Sequence, residues 1–222
     1  MNNWNGIVSL FIACVEFVLL INLLVFAEKN KLNRIIILIV FLLFGYQAIE
    51  FLICGIGLSN SSMAYLAFVD ITFLPPLNLF FVLTLLDYKS KLTPIIFLPA
   101  VSFVIYYFFV IDEFKSVQCT VLYASYSYPL GDLYGFFYYS PILTSMILLI
   151  NKITSVNQQE FPISPKYLLY GHLSLIIPIA VGFLLLFLGY SGLISSIESS
   201  LCKFAFLYCL VLVYFALSNK KN

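Results

Sequence analysis

Charge is what this sequence has least of: Asp, Glu, Lys and Arg make up 9% of its 222 residues, against 63% hydrophobic residues. Soluble domains are roughly half apolar and a quarter charged, so a fold in water could not hide this much apolar surface. The formal net charge of +1 supplies no basic field for nucleic acid and no acidic tail, which excludes a DNA- or RNA-binding protein. There is one histidine, His172, and the five cysteines form no Cys-x-x-Cys pair, so a structural zinc module is excluded. Neither a glycine-rich phosphate loop nor a Ser/His/Asp set or Gly-x-Ser-x-Gly elbow is present, so an enzyme is the less favoured class and no cofactor is expected.

What is abundant is long apolar runs, consistent with a mean hydropathy of +1.06. A bilayer core of about 30 Å needs roughly 17 to 25 helical residues. Seven stretches meet or approach that, near 7–27, 35–58, 63–86, 94–111, 134–151, 167–190 and 200–218. The fourth and fifth are short, and each reads as a tilted or partly re-entrant helix. The first run follows Met-Asn-Asn-Trp-Asn-Gly, which lacks the basic start of a signal peptide, and is read as a retained helix. Lys29, Lys31, Arg34, Lys89, Lys91, Lys152, Lys166, Lys220 and Lys221 all fall on one side of this arrangement, leaving Lys115 and Lys203 on the other. By the positive-inside rule the rich side is cytoplasmic. The expectation is an all-α, polytopic membrane protein: one seven-transmembrane-helix bundle over 1–222, N-terminus outside and C-terminus cytoplasmic, multi-pass in a prokaryotic cytoplasmic membrane.

The longest outer connection, about 112–133, contains Val117-Gln118-Cys119-Thr120-Val121-Leu122-Tyr123-Ala124-Ser125-Tyr126-Ser127-Tyr128 and then Pro129-Leu130-Gly131-Asp132. Its β-branched, aromatic, roughly alternating pattern predicts a strand or hairpin followed by a turn. It reads either as a lid over an outward pocket or as an aromatic belt at headgroup depth. Cys54, Cys119 and Cys202 all come out near the outer face, where an oxidising compartment permits one disulfide, Cys119 with Cys54 or with Cys202. Cys14 and Cys209 read as small apolar packing residues within the bilayer.

Ionisable residues inside a span cost about 2.5 to 3.5 kcal/mol at a helix centre and so need a reason. Glu16, Glu50 and Asp70 lie about 13, 12 and 10 Å from the outer ends of the first three spans, at one level. Gln47, Glu50 and Cys54 are spaced i, i+3, i+7 and share a helix face. Lys203 enters the last span from the same side, about a turn from its outer end. These residues, with Thr72, define a candidate outward-facing pocket for a small ligand or cation, in which three carboxylates against one lysine require at least one to be protonated. The plainer reading makes each acid a separate interhelical hydrogen-bonding residue. The Pro75–Pro76 pair removes two backbone donors from mid-span and predicts a hinge there, with further kinks at Pro99, Pro141 and Pro178. His172, about 8 Å from the inner face, reads as a hydrogen-bonded packing residue or a proton-relay member. A retinal Schiff base at Lys203 is disfavoured by its position near a helix end and by a sole tryptophan at Trp4.

The stretch Asp70 to Ala100, with its proline-broken third span, the Leu-Phe-Phe-Val-Leu-Thr-Leu-Leu run, the basic turn at Lys89 and Lys91, and Leu98-Pro99-Ala100, resembles the seven-helix sensor region of bacterial histidine kinases. Gln47-Ala48-Ile49-Glu50, Asp70 to Pro76 and Ser200-Leu201-Cys202-Lys203-Phe204-Ala205 are similar to stand-alone prokaryotic seven-helix proteins of undefined role. Unlike the kinases, the chain stops at Asn222 without a phosphotransfer domain. The resemblance therefore implies a membrane sensor or ligand-binding protein whose signal passes to a separate signalling or membrane-protein partner. A small secondary transporter or ion/proton-coupled carrier is the alternative, and an intramembrane enzyme or accessory subunit comes third.

Overall fold

The computed structural model describes residues 5–88, 93–122, 124–155, 165–188 and 194–218. The basic positions Lys89, Lys91, Lys220 and Lys221, together with Trp4 and Tyr123, lie outside the described residues. Among the described residues the chain is all-α apart from one two-stranded hairpin. Its helices are α1 (Ile7–Phe26), α2 (Lys31–Phe51), α3 (Ser61–Thr72), α4 (Leu74–Leu85), α5 (Leu98–Phe109), α6 (Gly131–Ser155), α7 (Pro165–Phe187) and α8 (Ile194–Ser218). Strands β1 (Lys115–Cys119) and β2 (Ala124–Ser127) pair antiparallel between α5 and α6, where alternation predicted a hairpin. The predicted turn after it is shorter than 129–132, because α6 already begins at Gly131.

Local chemistry sets the helix starts. Asn30 and Asn60 each accept, through the side chain, a 2.8 Å bond from the amide three residues on, Asn33 and Met63, capping α2 and α3. α2 runs on into a π-helical turn, Leu52–Ile56, closed by Gly57 at φ 88°. The third apolar run breaks at Phe73, two residues before the proline pair. Pro75 and Pro76 occupy the first turn of α4 and give no N–H to the carbonyls a turn earlier, at Ile71 and Thr72, which is where the run is interrupted. Pro99 likewise opens α5, after a 3-10 turn, while Pro141 and Pro178 sit inside α6 and α7.

Five runs, Ile7–Phe26, Lys31–Ile56, Ser61–Leu85, Gly131–Thr154 and Leu201–Ser218, are long and apolar enough to cross a bilayer, and Pro94–Phe109 and Tyr167–Val181 are shorter apolar helices. Large apolar side chains face outward, Phe11, Phe109 and Phe136 among them at 65%, 79% and 67% exposure, while Glu16, Gln47, Glu50 and His172 are fully buried. An apolar exterior around buried polar groups is compatible with a membrane location, where hydrocarbon replaces water outside the bundle.

The main core joins α1, α2, α4, α6, α7 and α8 through residues such as Leu23, Ile36, Phe81, Leu149, Leu168 and Leu212. A separate aromatic cluster under the hairpin packs Phe68 against Tyr107 and Tyr134 (centroids 4.5 and 4.6 Å) and stacks Phe114 on Tyr128. Tyr107 donates a 2.6 Å bond to the Pro129 carbonyl. Tyr128 thus packs inward beneath the hairpin, where an interfacial belt would have it face headgroups.

Candidate functional site

The Gln47, Glu50, Cys54 spacing places three groups on the face of α2 that looks toward α8 and the hairpin. Lys203 of α8 donates from Nζ to Gln47 Oε1 (2.6 Å), Glu50 Oε2 (2.8 Å) and Ser9 Oγ of α1 (2.9 Å). An ammonium has three hydrogens, and all three are placed. Gln47 completes its amide by donating from Nε2 to the Cys202 carbonyl at 3.3 Å, and the Ser9 hydroxyl also bonds Glu50. Glu50 uses its other oxygen, Oε1, to accept the backbone N–H of Ala124 in β2 at 3.0 Å. The ion pair is therefore built from four separate elements, and the hairpin closes it from outside.

The hairpin is itself clamped. A disulfide joins Cys54, in the π-turn, to Cys119 at the end of β1. Cys202, the alternative partner, is a free buried thiol, since its neighbours are Tyr46 and Ala67 in another packing cluster. Cys209 is buried as expected, but Cys14 is exposed on the surface of α1 and so packs no interior seam. Gly6 ties α1 to the same junction by donating its N–H to the Thr120 carbonyl at 3.0 Å. It does so at φ 73°, where a Cβ would approach Cys54 Cβ to 3.3 Å, so the position requires glycine.

α8 begins at Ile194, before the apolar run, which puts Lys203 about 13 Å along the helix, while in the part of α8 long and apolar enough to cross a bilayer, Leu201–Ser218, Lys203 stands in the first turn. Glu16 sits two turns below Ser9 on the same face of α1, fully buried, with neither carboxyl oxygen hydrogen-bonded. It lies within electrostatic reach of Lys203 and Asp70, whereas every Lys203 hydrogen is already taken. Asp70 reaches α3's neighbour α2 at Gly45: a Cβ there would stand 3.0 Å from Asp70 Oδ1, and Asp70 Oδ2 is buried with no partner. The structure thus brings Gln47, Glu50 and Lys203 into direct contact and sets Glu16 and Asp70 beside them. Thr72 is not part of this group: its hydroxyl donates to the Phe68 carbonyl (2.6 Å) and meets Tyr134 Oη of α6 (3.1 Å) on the opposite flank of α3.

A second polar group, which the sequence does not announce, joins α4, α6 and α7 to α8. Asn78 of α4 donates from Nδ2 to Ser145 Oγ of α6 (3.3 Å) and to His172 Nε2 of α7 (3.1 Å), and its Oδ1 accepts from the Tyr208 hydroxyl of α8. His172 Nδ1 faces the Leu168 carbonyl at 2.9 Å, which requires the proton on Nδ1 and leaves Nε2 as an acceptor. Reversing the Asn78 amide would demand a donor at Nε2 and turn a lone pair toward that carbonyl. Both ring nitrogens are therefore engaged, and His172 is a packing residue. Asn78→Leu strands the Tyr208 hydroxyl and His172 Nε2 at once and is expected to cost about 1–3 kcal/mol. Tyr208→Phe, which orphans one acceptor only, should cost less, and equal unfolding midpoints for Asn78→Leu and the parent would remove the network from any account of stability.

A cavity of about 40 Å³ lined by Pro75, Asn78, Cys202, Ala205 and Tyr208 separates the two polar groups, room for about one water. No group of three or more His, Cys, Asp or Glu able to hold a metal occurs among the described residues. No family model matches the chain, and no curated protein and no solved structure matches it either. Ser9, Ala124, Asn78, Ser145 and Tyr208 are the participants that sequence reasoning missed. Ser9 alone carried a signal, lying seven residues before Glu16 on one helix face.

Proposed function

We propose that this protein is a seven-span membrane sensor or ligand-binding protein, N-terminus outside, that takes up a small cation in a polar pocket of its outer half and acts through a separate partner. The observation that carries this reading is Glu16. A fully buried carboxyl whose oxygens have no partner needs a positive ligand as an ion, or an acceptor as an acid, and among the described residues none hydrogen-bonds to it. The Lys203–Glu50 pair beside it is complete without it, so Glu16 and the unpartnered Asp70 oxygen are where a proton, a small metal cation or an ammonium group has something to gain. The hairpin over Glu50, held by a disulfide that an oxidising exterior preserves, supports an outward-facing site and agrees with basic residues Lys29, Lys31, Arg34 and Lys152 on the other side.

Purified protein in nanodiscs should unfold at higher temperature in sodium or methylammonium chloride than in choline chloride, by about 2.7 kcal/mol at a hundredfold excess over Kd. Glu16→Gln, the same shape without the charge, should abolish the difference. A parent protein indifferent to every small cation and to pH would sink the proposal. The alternative, an ion-coupled carrier, is favoured by the small cavity between the Lys203 group and the Asn78–Tyr208 group, which lines up two polar sites across the bundle. Electrogenic flux in proteoliposomes, lost in Glu16→Gln, would decide for the carrier.

A further inference from the structure

Glu16, fully buried on α1 with neither oxygen hydrogen-bonded among the described residues, is surrounded by titratable groups of three other helices. α8 brings Lys203 and the thiols of Cys202 and Cys209 within electrostatic reach, and α3 brings Asp70. α2, which packs along α1, carries Glu50 and Tyr46, the first bonded to Lys203 and the Ala124 amide, the second to the Cys202 thiol. The thiols and the phenol carry no charge. Lys203 has its charge balanced by Glu50 and its hydrogens placed on Glu50, Gln47 and Ser9. As an ion, Glu16 would therefore stand in the interior with neither a counter-charge nor a donor, the arrangement that disfavours a buried charge most. As an acid it keeps its proton and is neutral. Asp70, the other carboxyl with an unpartnered oxygen, has the Tyr46 N–H beside it. Between the two, the proton belongs on Glu16.

We propose that the cation site at Glu16 works by exchange: the entering cation replaces the carboxyl proton, which passes to water on the outer side. This rests on the reading of Glu16 as the cation site and adds what regulates it. The O–H bond breaks heterolytically, its electron pair stays on the carboxylate oxygen that now faces the cation, and a water molecule outside takes the proton. The charge within the bundle is the same before and after. Two consequences follow from that balance. The site responds to the ratio of cation to protons, so acid outside empties it of cation even where the cation is plentiful. A voltage across the membrane does little work on the exchange, because one positive charge leaves as another enters, whereas a bare cation entering alone would feel part of the potential.

The test uses the full chain in phosphatidylcholine nanodiscs, in dilute buffer with a pH indicator, titrated with sodium chloride and separately with methylammonium chloride against choline chloride of equal ionic strength. Release should approach about one proton per chain as the thermal shift saturates. Wherever release is complete, the cation concentration giving half of that shift should rise about tenfold for each unit of acidification. Glu16→Gln should show neither shift nor release. Asp70→Asn, which keeps an oxygen for the Tyr46 N–H, should still release its proton. A cation-dependent thermal shift with no proton released, and with a midpoint constant across pH, would overturn the exchange and leave the cation site standing. No shift from either cation at any pH would remove the cation reading and the exchange with it. Release kept in Glu16→Gln and lost in Asp70→Asn would overturn the assignment of the exchanged proton.

Discussion

Lys203→Met is expected to lower the stability of the folded bundle by about 3–5 kcal/mol, the largest effect of any single substitution considered for this chain. The side chain it removes is one of two charges in a pair whose other member, Glu50, is fully buried. Methionine fills the volume of the stem and leaves an uncompensated carboxylate, a Gln47 oxygen without its donor and a Ser9 hydroxyl without its neighbour. The loss of a partner is costly; the pair itself need not be strongly stabilising, because its formation already carries two desolvation penalties. That distinction is measurable. Glu50→Gln in the Lys203→Met background removes the orphaned charge while a Gln oxygen can still accept the Ala124 amide, so the double variant should regain most of the loss, a coupling of about 2 kcal/mol or more. Thermal unfolding of the four proteins in one detergent gives the cycle. Additive effects, with the double variant the least stable, would mean that Lys203 and Glu50 do not act as a pair.

How much of this was legible beforehand follows the range of the interactions. Helix-period spacing is local, so the shared face of Gln47, Glu50 and Cys54 could be read from three positions, and two of them do meet Lys203 while the third forms the disulfide. The hairpin was legible from its alternation. Its contact with Glu50 was not, because a backbone amide at Ala124 carries no sequence signal. Cysteine pairing stayed open between Cys54 and Cys202 since both approach the outer face, and only the packing of α2 against α8 separates them. The start of α8 at Ile194 was not legible, for a plain reason: helices begin in polar residues, and hydropathy sees only the part that follows. The proline pair predicted that the third run would kink or open about a turn earlier, and the run is interrupted at Phe73, with Pro75 and Pro76 in the first turn of the helix that follows. The Asn78, Ser145, His172 and Tyr208 group spans sequence separations of 67 to 130 and is fixed wholly by which helices become neighbours.

Removing the disulfide should come second in magnitude. Cys54 and Cys119 close a loop with a sequence separation of 65, for which chain-entropy reasoning gives about 4 kcal/mol if the reference chain were a random coil. Helices that stay formed in the bilayer shorten the effective loop, so about 2–4 kcal/mol is expected for Cys54→Ser with Cys119→Ser. The site makes the effect more than a loss of global stability. With the clamp gone, the end of β1 keeps the bond from Gly6, at the start of α1, to the Thr120 carbonyl but loses its covalent tie to the end of α2, and the Ala124 amide that holds Glu50 rides on β2. Opening of the hairpin then exposes the Lys203–Glu50 pair to water, and a pair worth little in water ceases to hold α2 to α8. Denatured protein should titrate three thiols before reduction, Cys14, Cys202 and Cys209, and five after it. In the folded protein, reductant should raise the alkylation rate of Cys202 together with the drop in unfolding midpoint, since Cys202 lies against Tyr46 directly beneath the hairpin. If the double-serine variant melts with the parent and Cys202 stays protected, the hairpin is held by its packing on Phe68, Tyr107 and Tyr134 and the covalent clamp is incidental to the pocket.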